Sequence, residues 1–309
     1  MSGLKKMSPS CAPIVLFVYN RPHHTAETIA ALQANDLSLY SDLIVFSDGP
    51  KKPEHVKNVQ AVRNLLDNIT GFKSVEIRAS EHNNGLAKAI TEGVTEIINQ
   101  YGKVVVLEDD IVVAPAFLNY MNDALDYYQY NDRVWHVSGW NYPIELETEK
   151  DVYFYRLMQC WGWATWADRW AYFEKDIDGM MASYDKPMRK RFNVDGYDRL
   201  WNQVVASKKG KINTWAIFWY ATIFKQNGLC LCPSLSYVRN IGHGDGEHCK
   251  DLNKLDNMHL NTKPKVKFSD HLAEDVAILG QIKVYLAGLK KGYFAKLKLY
   301  ARTHFDYFV

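Results

Sequence analysis

The chain has 309 residues, 47% of them hydrophobic and 23% charged, with a formal net charge of +2. That length and balance suit one large α/β domain or two small ones with a substantial core, and they exclude wholesale disorder. Near-neutrality excludes a general nucleic-acid binder, whereas a sugar-phosphate ligand needs only a local positive cluster or a metal ion.

Residues 1–12 read as a disordered arm. Pro13 then introduces Ile14 to Tyr19, a continuous apolar run of buried-strand length that stops at Asn20-Arg21-Pro22. Thr25 is the expected N-cap of a helix carrying Thr28, Ile29 and Leu32. Leu43 to Phe46 reads as a second strand, ending in the turn Ser47-Asp48-Gly49-Pro50. Pro53 to Asp67 is a helix with Val56, Val59, Val62, Leu65 and Leu66 on one face. Ser74 to Ala79 is a third strand, Leu86 to Gln100 a helix, and Lys103 to Leu107 a fourth strand running into Glu108-Asp109-Asp110. After Pro115 come a Tyr-rich helix, Phe117 to Tyr130, and short strands at Val134 to Val137 and Leu229 to Leu231. A glycine-rich stretch, residues 241–248, follows, and from His271 the chain reads as helical.

Short apolar strands alternating with amphipathic helices predict an α/β fold with a mostly parallel, Rossmann-like central sheet. Ligands of such sheets sit outside the carboxyl ends of the strands. Three strands end in polar groups that would face that crevice: Asn20-Arg21, Asp48-Gly49 and Glu108-Asp109-Asp110. Three adjacent carboxylates after a buried strand repel unless a cation neutralises them. A hard divalent ion, Mn²⁺ or Mg²⁺, is the natural partner, and it suits stabilising a departing nucleoside diphosphate. The competing reading is a set of acids complementing a helix dipole.

Other candidates are weaker individually. Asp48 is also an ordinary turn former. Asn84, Gly85 and Lys88 open a helix whose backbone N–H groups suit a phosphate or ribose, with plain capping by Asn84 as the alternative. His243, Asp245 and His248 lie in the glycine-rich stretch, and His248 is the candidate second metal or phosphate partner. All nine tryptophans follow Pro115, between Trp135 and Trp219. Trp163, Trp166 and Trp170 fall at helical spacing, which favours core, while Trp161, Trp163 and Trp215 are candidates for an acceptor-side wall. The five cysteines include no CxxC pair, which disfavours a zinc ribbon or disulfide scaffold and suits a cytoplasmic protein. No apolar run reaches membrane-spanning length. The C-terminal lysines (Lys283, Lys290, Lys291, Lys296, Lys298) and Arg302 lie among apolar residues, so peripheral contact with an anionic membrane stands beside a simple solvated helix.

The segments Leu16-Phe-Val-Tyr-Asn-Arg-Pro22, Asn84-Gly-Leu-Ala-Lys88, Val105-Val-Leu-Glu-Asp-Asp-Ile111, Trp161-Gly-Trp-Ala-Thr-Trp166 and Asn240-Ile-Gly-His243 together resemble bacterial glycosyltransferases of the GT-A fold. The resemblance is to family-2-like sugar transferases of surface-polysaccharide type. It extends more distantly to the animal N-acetylglucosaminyltransferase that starts complex N-glycans. It implies a domain over residues 13–270, with 13–115 as the nucleotide-sugar half and 116–270 as the acceptor half, followed by a helical extension, 271–309. It further implies that Glu108 lies near the ribose, that Asp110 ligates the metal and that Asn20, Arg21 and Asp48 lie near the nucleotide. The loop around His248 would close on the diphosphate. The implied reaction moves a sugar from a nucleotide-diphosphate sugar, UDP-linked by preference, to a glycan or lipid-linked hydroxyl, with inversion. One departure stands out. Inverting relatives place a basic carboxylate near the segment matching Asn213 to Trp219, and none occurs there: the base comes from elsewhere, with Asp168 and Asp245 as candidates, or the match is offset by a few residues, or the mechanism uses no enzyme base.

Two other readings remain at this level. A sugar-phosphate nucleotidyltransferase would ordinarily carry a glycine-rich phosphate loop, and Leu16 to Pro22 contains no glycine. A catalytically silent sugar-nucleotide-binding subunit would fit the missing carboxylate.

Overall fold

The computed structural model describes residues 11–242 and 259–289. Its centre is an eight-stranded sheet built from β1 (Ile14–Val18), β2 (Asp42–Ser47), β3 (Ser74–Ala79), β4 (Lys103–Glu108), β6 (Val134–Ser138), β7 (Val152–Tyr155), β8 (Trp163–Trp166) and β9 (Leu229–Pro233). The order is β3-β2-β1-β4-β8-β6-β9-β7. A second ribbon pairs β5 (Ile111–Val113) with β10 (Val238–Asn240). β1 to β4 are mutually parallel; β8 runs antiparallel to both β4 and β6, β9 runs parallel to β6, and β7 opposes β9. Six of the eight strands therefore point one way, as the alternating βα pattern requires.

The helices that connect the parallel strands are α1 (Pro22–Gln33), α2 (Val56–Leu66) and α3 (Leu86–Tyr101), and α4 (Phe117–Tyr127) follows β5. α3 packs on β1 and β4, and α4 on β6 and β8. α3 comes so close that a Cβ on Gly93 would stand 3.0 Å from the rings of Phe17 and Phe46. β1 lies inside the parallel half and is buried at all five positions, which is why Ile14–Val18 is apolar throughout rather than at alternate positions, whereas the edge strand β3 has no buried residue.

Several local expectations are corrected. α1 begins at Pro22 rather than after Thr25, because proline needs no N–H partner in a first helical turn; the Thr25 hydroxyl instead donates to the Arg21 carbonyl at 2.8 Å. The first turn of the expected 53–67 helix is 3₁₀, and Val56 and Leu65 are exposed while Val59, Val62 and Leu66 are buried. Trp163 and Trp166 lie on strand β8, not on a helix. Of the expected N-terminal arm, residues 1–10 lie outside the described residues, whereas Ala12 is fully buried and its amide donates to Asn122 Oδ1 at 2.7 Å. The C-terminal helix spans 276–289 within the described residues, seating Ile278, Leu279, Ile282 and Leu286 in the core.

Beneath the sheet, the tryptophans form a packed interior. Trp163 stacks on Trp215 at 5.2 Å and on His136 at 5.4 Å, and Trp170 meets Trp219 at 4.9 Å. The indole N–H of Trp219 donates to His136 Nδ1 at 3.2 Å, which puts the ring proton on Nε2, donating to the Gln159 carbonyl at 2.9 Å. Burial pushes this imidazole down to about 3, so it stays neutral in the fold.

His136 should consequently destabilise the fold in acid. Between about pH 3 and 6.5 the unfolded chain binds a proton at this residue and the native one does not, so stability falls as pH falls, by about 1.4 kcal/mol per unit. Glu108, raised in the fold, acts in the opposite sense over part of this range, so the readout is a comparison. Urea unfolding at pH 5 and 7 should show wild type losing about 2 kcal/mol relative to the change in His136→Asn, whose amide keeps the Trp219 bond without titrating.

Candidate active site

The register of the parallel strands aligns their exits. Val18 sits beside Ser47, Ser47 beside Ala79, and Phe17 beside Glu108. Tyr19 to Arg21, Asp48 and Glu108 to Asp110 thus emerge along one rim. Asp109 and Asp110 form the turn between β4 and β5, where the chain leaves the main sheet to pair with β10. This detour is what turns a run of acids into a feature of the rim.

Arg21 spans two of the acids. One guanidinium nitrogen pairs with Asp109 Oδ1 and the other lies 3.0 Å from Asp110 Oδ2. Asp109 is further held by the Tyr19 amide at 3.3 Å, and its carbonyl accepts the Thr28 hydroxyl at 2.9 Å. Asp109 is therefore a structural residue, buried at the joint of β1, α1 and β4. Glu108 is half-buried and makes no hydrogen bond among the described residues. Burial first, then Asp110 and Asp109, push its carboxyl up to about 8, against the pull of Arg21. One guanidinium against three carboxylates leaves the turn with surplus negative charge.

β10 brings a lid edge onto this turn. The Ile241 amide donates to the Asp110 carbonyl at 2.9 Å, and Gly242 follows, its amide held by Asn240 Oδ1 at 2.8 Å. A Cβ on Gly242 would overlap Asp110 Oδ2 and stand 2.9 Å from Arg21 Nη1. His243, Asp245 and His248 come next in the chain and lie outside the described residues. The residues present fit a hard divalent cation: Asp110 and Glu108 are carboxylates with surplus charge and unused oxygens at a rim, the donor type that Mg²⁺ and Mn²⁺ take. Among the described residues no group of three or more His, Cys, Asp or Glu side chains is placed to hold a metal ion.

Residues 14–167 match the family model described as glycosyl transferase family 2. The matched span holds β1 through β8, the Arg21 bridge and the whole acidic turn. Residues 14–167 are a family 2 glycosyltransferase domain. No curated protein sequence matches the chain. Among solved structures, S. aureus TarS is similar at 15% identity and TM-score 0.27, covering 40% of this chain and 21% of that one. The mannosyltransferase PcManGT from Pyrobaculum calidifontis, in complex with GDP-Man and Mn²⁺, is similar at 13% identity and TM-score 0.40, covering 70% and 71%. A UDP-glucose pyrophosphorylase complexed with UDP-glucose is similar at 12% identity and TM-score 0.34, covering 72% and 90%. The chain spans about a fifth of the length of TarS.

Within this glycosyltransferase domain the remaining candidates sort by position. Asp48 is at the rim, but four donors occupy its carboxylate: the amides of Gly49, Asn84 and Gly85 at 3.0, 2.8 and 2.9 Å and the Asn83 side chain at 2.9 Å. It ties the loop after β2 to the loop before α3. Asn84 does not cap α3; its side chain donates to Ser80 Oγ at 2.9 Å, and Gly85, at φ +76°, takes the N-cap position with no side chain to offer. Lys88 is exposed on the first turn of α3, 4.0 Å from Glu92. Asn20 is half-buried beside Arg21.

On the other side of the turn, β8 decides what is near. Because β8 is antiparallel, its first residue, Trp163, sits beside Val106 at the rim end of β4, and its last, Trp166, beside Lys103 at the far end. Trp161 is therefore at the rim, half-buried and edge-to-face with Trp140 at 5.0 Å. Trp163 and Trp215 are corrected to core residues, 1% and 3% exposed. Asp168 lies past the far end of β8, roughly 10 Å or more from the rim along the strand, and pairs with Arg169 at 2.6 Å. Geometry removes it as the base. Cys160 was not a candidate from sequence, yet its thiol is raised to about 12 by burial and then by nearby Glu108; its only signal was adjacency to Trp161.

Gly242→Ala tests the lid edge. Its methyl group must displace Asp110 or Arg21, so Mn²⁺ affinity, read by titration against the paramagnetic signal of the unbound ion, should fall by about tenfold or more. The thermal midpoint without metal should move far less than the affinity does.

Proposed function

We propose that the chain transfers a sugar from a nucleotide-diphosphate sugar, UDP-linked by preference, to a hydroxyl of a glycan or lipid-linked acceptor, with inversion and with Mn²⁺ or Mg²⁺ at Asp110. The observation that carries this reading is Glu108, partly buried and without a partner for its carboxyl group among the described residues, beside Asp110 at the carboxyl edge of the sheet, where surplus negative charge calls for a cation. A bound divalent ion would supply charge stabilisation for the leaving diphosphate. The acceptor oxygen forms the new bond to the anomeric carbon from the face opposite the diphosphate. The bond between that carbon and the diphosphate oxygen breaks, and the nucleoside diphosphate departs with the electron pair. Arg21 orients Asp110 and holds positive charge beside the departing group; Glu108 faces the ribose side; Trp161 offers an apolar face on the acceptor side.

The hydroxyl proton needs an acceptor, and the Asn213 to Trp219 segment offers no carboxylate. With Asp168 removed by geometry, Asp245 is the remaining proposed base, arriving with the segment that follows Gly242; His248 of that segment is the proposed second metal ligand. A cytoplasmic location and peripheral membrane contact through the basic C-terminal residues belong to this proposal. The described helices include none long and apolar enough to cross a membrane. Lys283 does not belong to a membrane-facing basic stripe, since it pairs with Asp195 at 2.6 Å and lies over the Tyr197 ring.

The test is thermal stabilisation by a panel of nucleotide sugars with and without Mn²⁺. At least one donor should stabilise the protein in a metal-dependent way, and Asp110→Ala should abolish the metal-dependent part and lower kcat/KM by about 10²-fold. Stabilisation that persists unchanged in Asp110→Ala, or pyrophosphate release from a nucleoside triphosphate and a sugar phosphate, overturns the reading.

A further inference from the structure

At the end of β1, Tyr19 links the acidic turn to the loop after β2. Its amide donates to Asp109 Oδ2, while its phenol oxygen accepts the Lys51 amide at 2.8 Å. The phenol's other partner is His55 Nδ1, at 2.6 Å, and with that nitrogen unprotonated the phenol O–H donates to it. In that tautomer the ring N–H of His55 is on Nε2. The two rings meet edge-to-face, 5.6 Å apart at 77°.

The same loop is pinned at its start. The Gly49 amide donates to the His82 carbonyl at 3.3 Å, and a Cβ at Gly49 would stand 2.6 Å from the His82 carbonyl carbon. Between these two anchors Lys51 and Lys52 are exposed, with Lys52 3.8 Å from Glu54. The result is an arch fixed at both ends, carrying two ammonium groups, at the exits of β1 and β2 next to Arg21 and Asp109. None of these loop residues carries a motif.

We propose that His55 is a positioning residue for nucleotide-sugar binding: by accepting the Tyr19 hydroxyl it locks Tyr19 and the Lys51–Lys52 arch into one wall of the donor crevice. The proposal rests on the nucleotide-sugar reading above. Its physical basis is preorganisation: a wall already fixed costs the ligand no ordering on binding. Removing the acceptor leaves the phenol proton without its imidazole partner and the Tyr19 ring held to the arch by the Lys51 amide alone.

The test measures Kd for UDP, GDP, dTDP, CDP and ADP with Mn²⁺ by calorimetry, on wild type, His55→Leu, His55→Asn, Tyr19→Phe and the His55→Leu/Tyr19→Phe double variant. For the tightest diphosphate, Kd should rise about tenfold in His55→Leu and in Tyr19→Phe. His55→Asn, whose amide oxygen stands where Nδ1 does, should return to within about twofold of wild type, and the double variant should bind no more weakly than either single one. Rescue by asparagine separates positioning from bulk loop packing, which the smaller side chain would not restore. Unchanged binding in His55→Leu and Tyr19→Phe, no rescue by asparagine, or additive losses overturn this proposal while leaving the functional reading intact. If wild type binds none of the five diphosphates, the functional reading fails and this proposal with it.

Discussion

The structure depends on how three consecutive carboxylates are accommodated at the end of a buried strand. Uncompensated, such a row would be expelled from the rim or forced to protonate. Arg21 solves part of the problem by pairing with Asp109 and Asp110 at once, and it reaches them because β1 runs parallel to β4 with Phe17 level with Glu108. The pairing welds the first strand to the fourth and, among the described residues, leaves Glu108 with no cation of its own. A site short of one positive charge, at the edge where parallel sheets take ligands, is the electrostatic reason for the nucleotide-sugar reading.

Two further pieces of backbone give that edge its shape. The β5–β10 ribbon peels away from the main sheet and carries Gly242 against Asp110, so a residue some 130 positions later in the chain packs on the turn. At the exits of β1 and β2, Asp48 gathers four hydrogen bonds and ties the loop after β2 to the loop before α3, and the Tyr19–His55 pair fixes the same loop after β2 to the end of β1. Both devices use polar side chains to stiffen loops that carry no hydrophobic core of their own. The rim is therefore held by a few specific bonds, while the sheet beneath it is held by apolar packing.

The reversal of β8 organises the other half. Running against its neighbours, it returns the chain to the rim at Cys160 and Trp161 and removes Asp168 to the opposite edge. The same strand places Trp163 against His136 and Trp215, and this converts most of the tryptophan-rich segment into interior. Aromatic density in the sequence thus marked a core more than a binding surface, and Trp161 differs from its neighbours because it precedes the strand rather than lying in it.

From the sequence by itself came the parallel βα half, the residues at three strand exits and the position of Glu108-Asp109-Asp110 at the end of a buried strand, because an apolar run of strand length followed by charge is a local signal that needs no partner to be read. Strand direction, the division of labour within the triplet, the lid edge at Gly242 and the His55 contact came only from the tertiary structure. Each depends on which distant segment lies alongside: spacing at Trp163 and Trp166 fits a helix as well as a strand until β4 and β6 pair with it, and an aspartate such as Asp48 or Asp168 reads alike wherever it falls until the sheet assigns it to an edge.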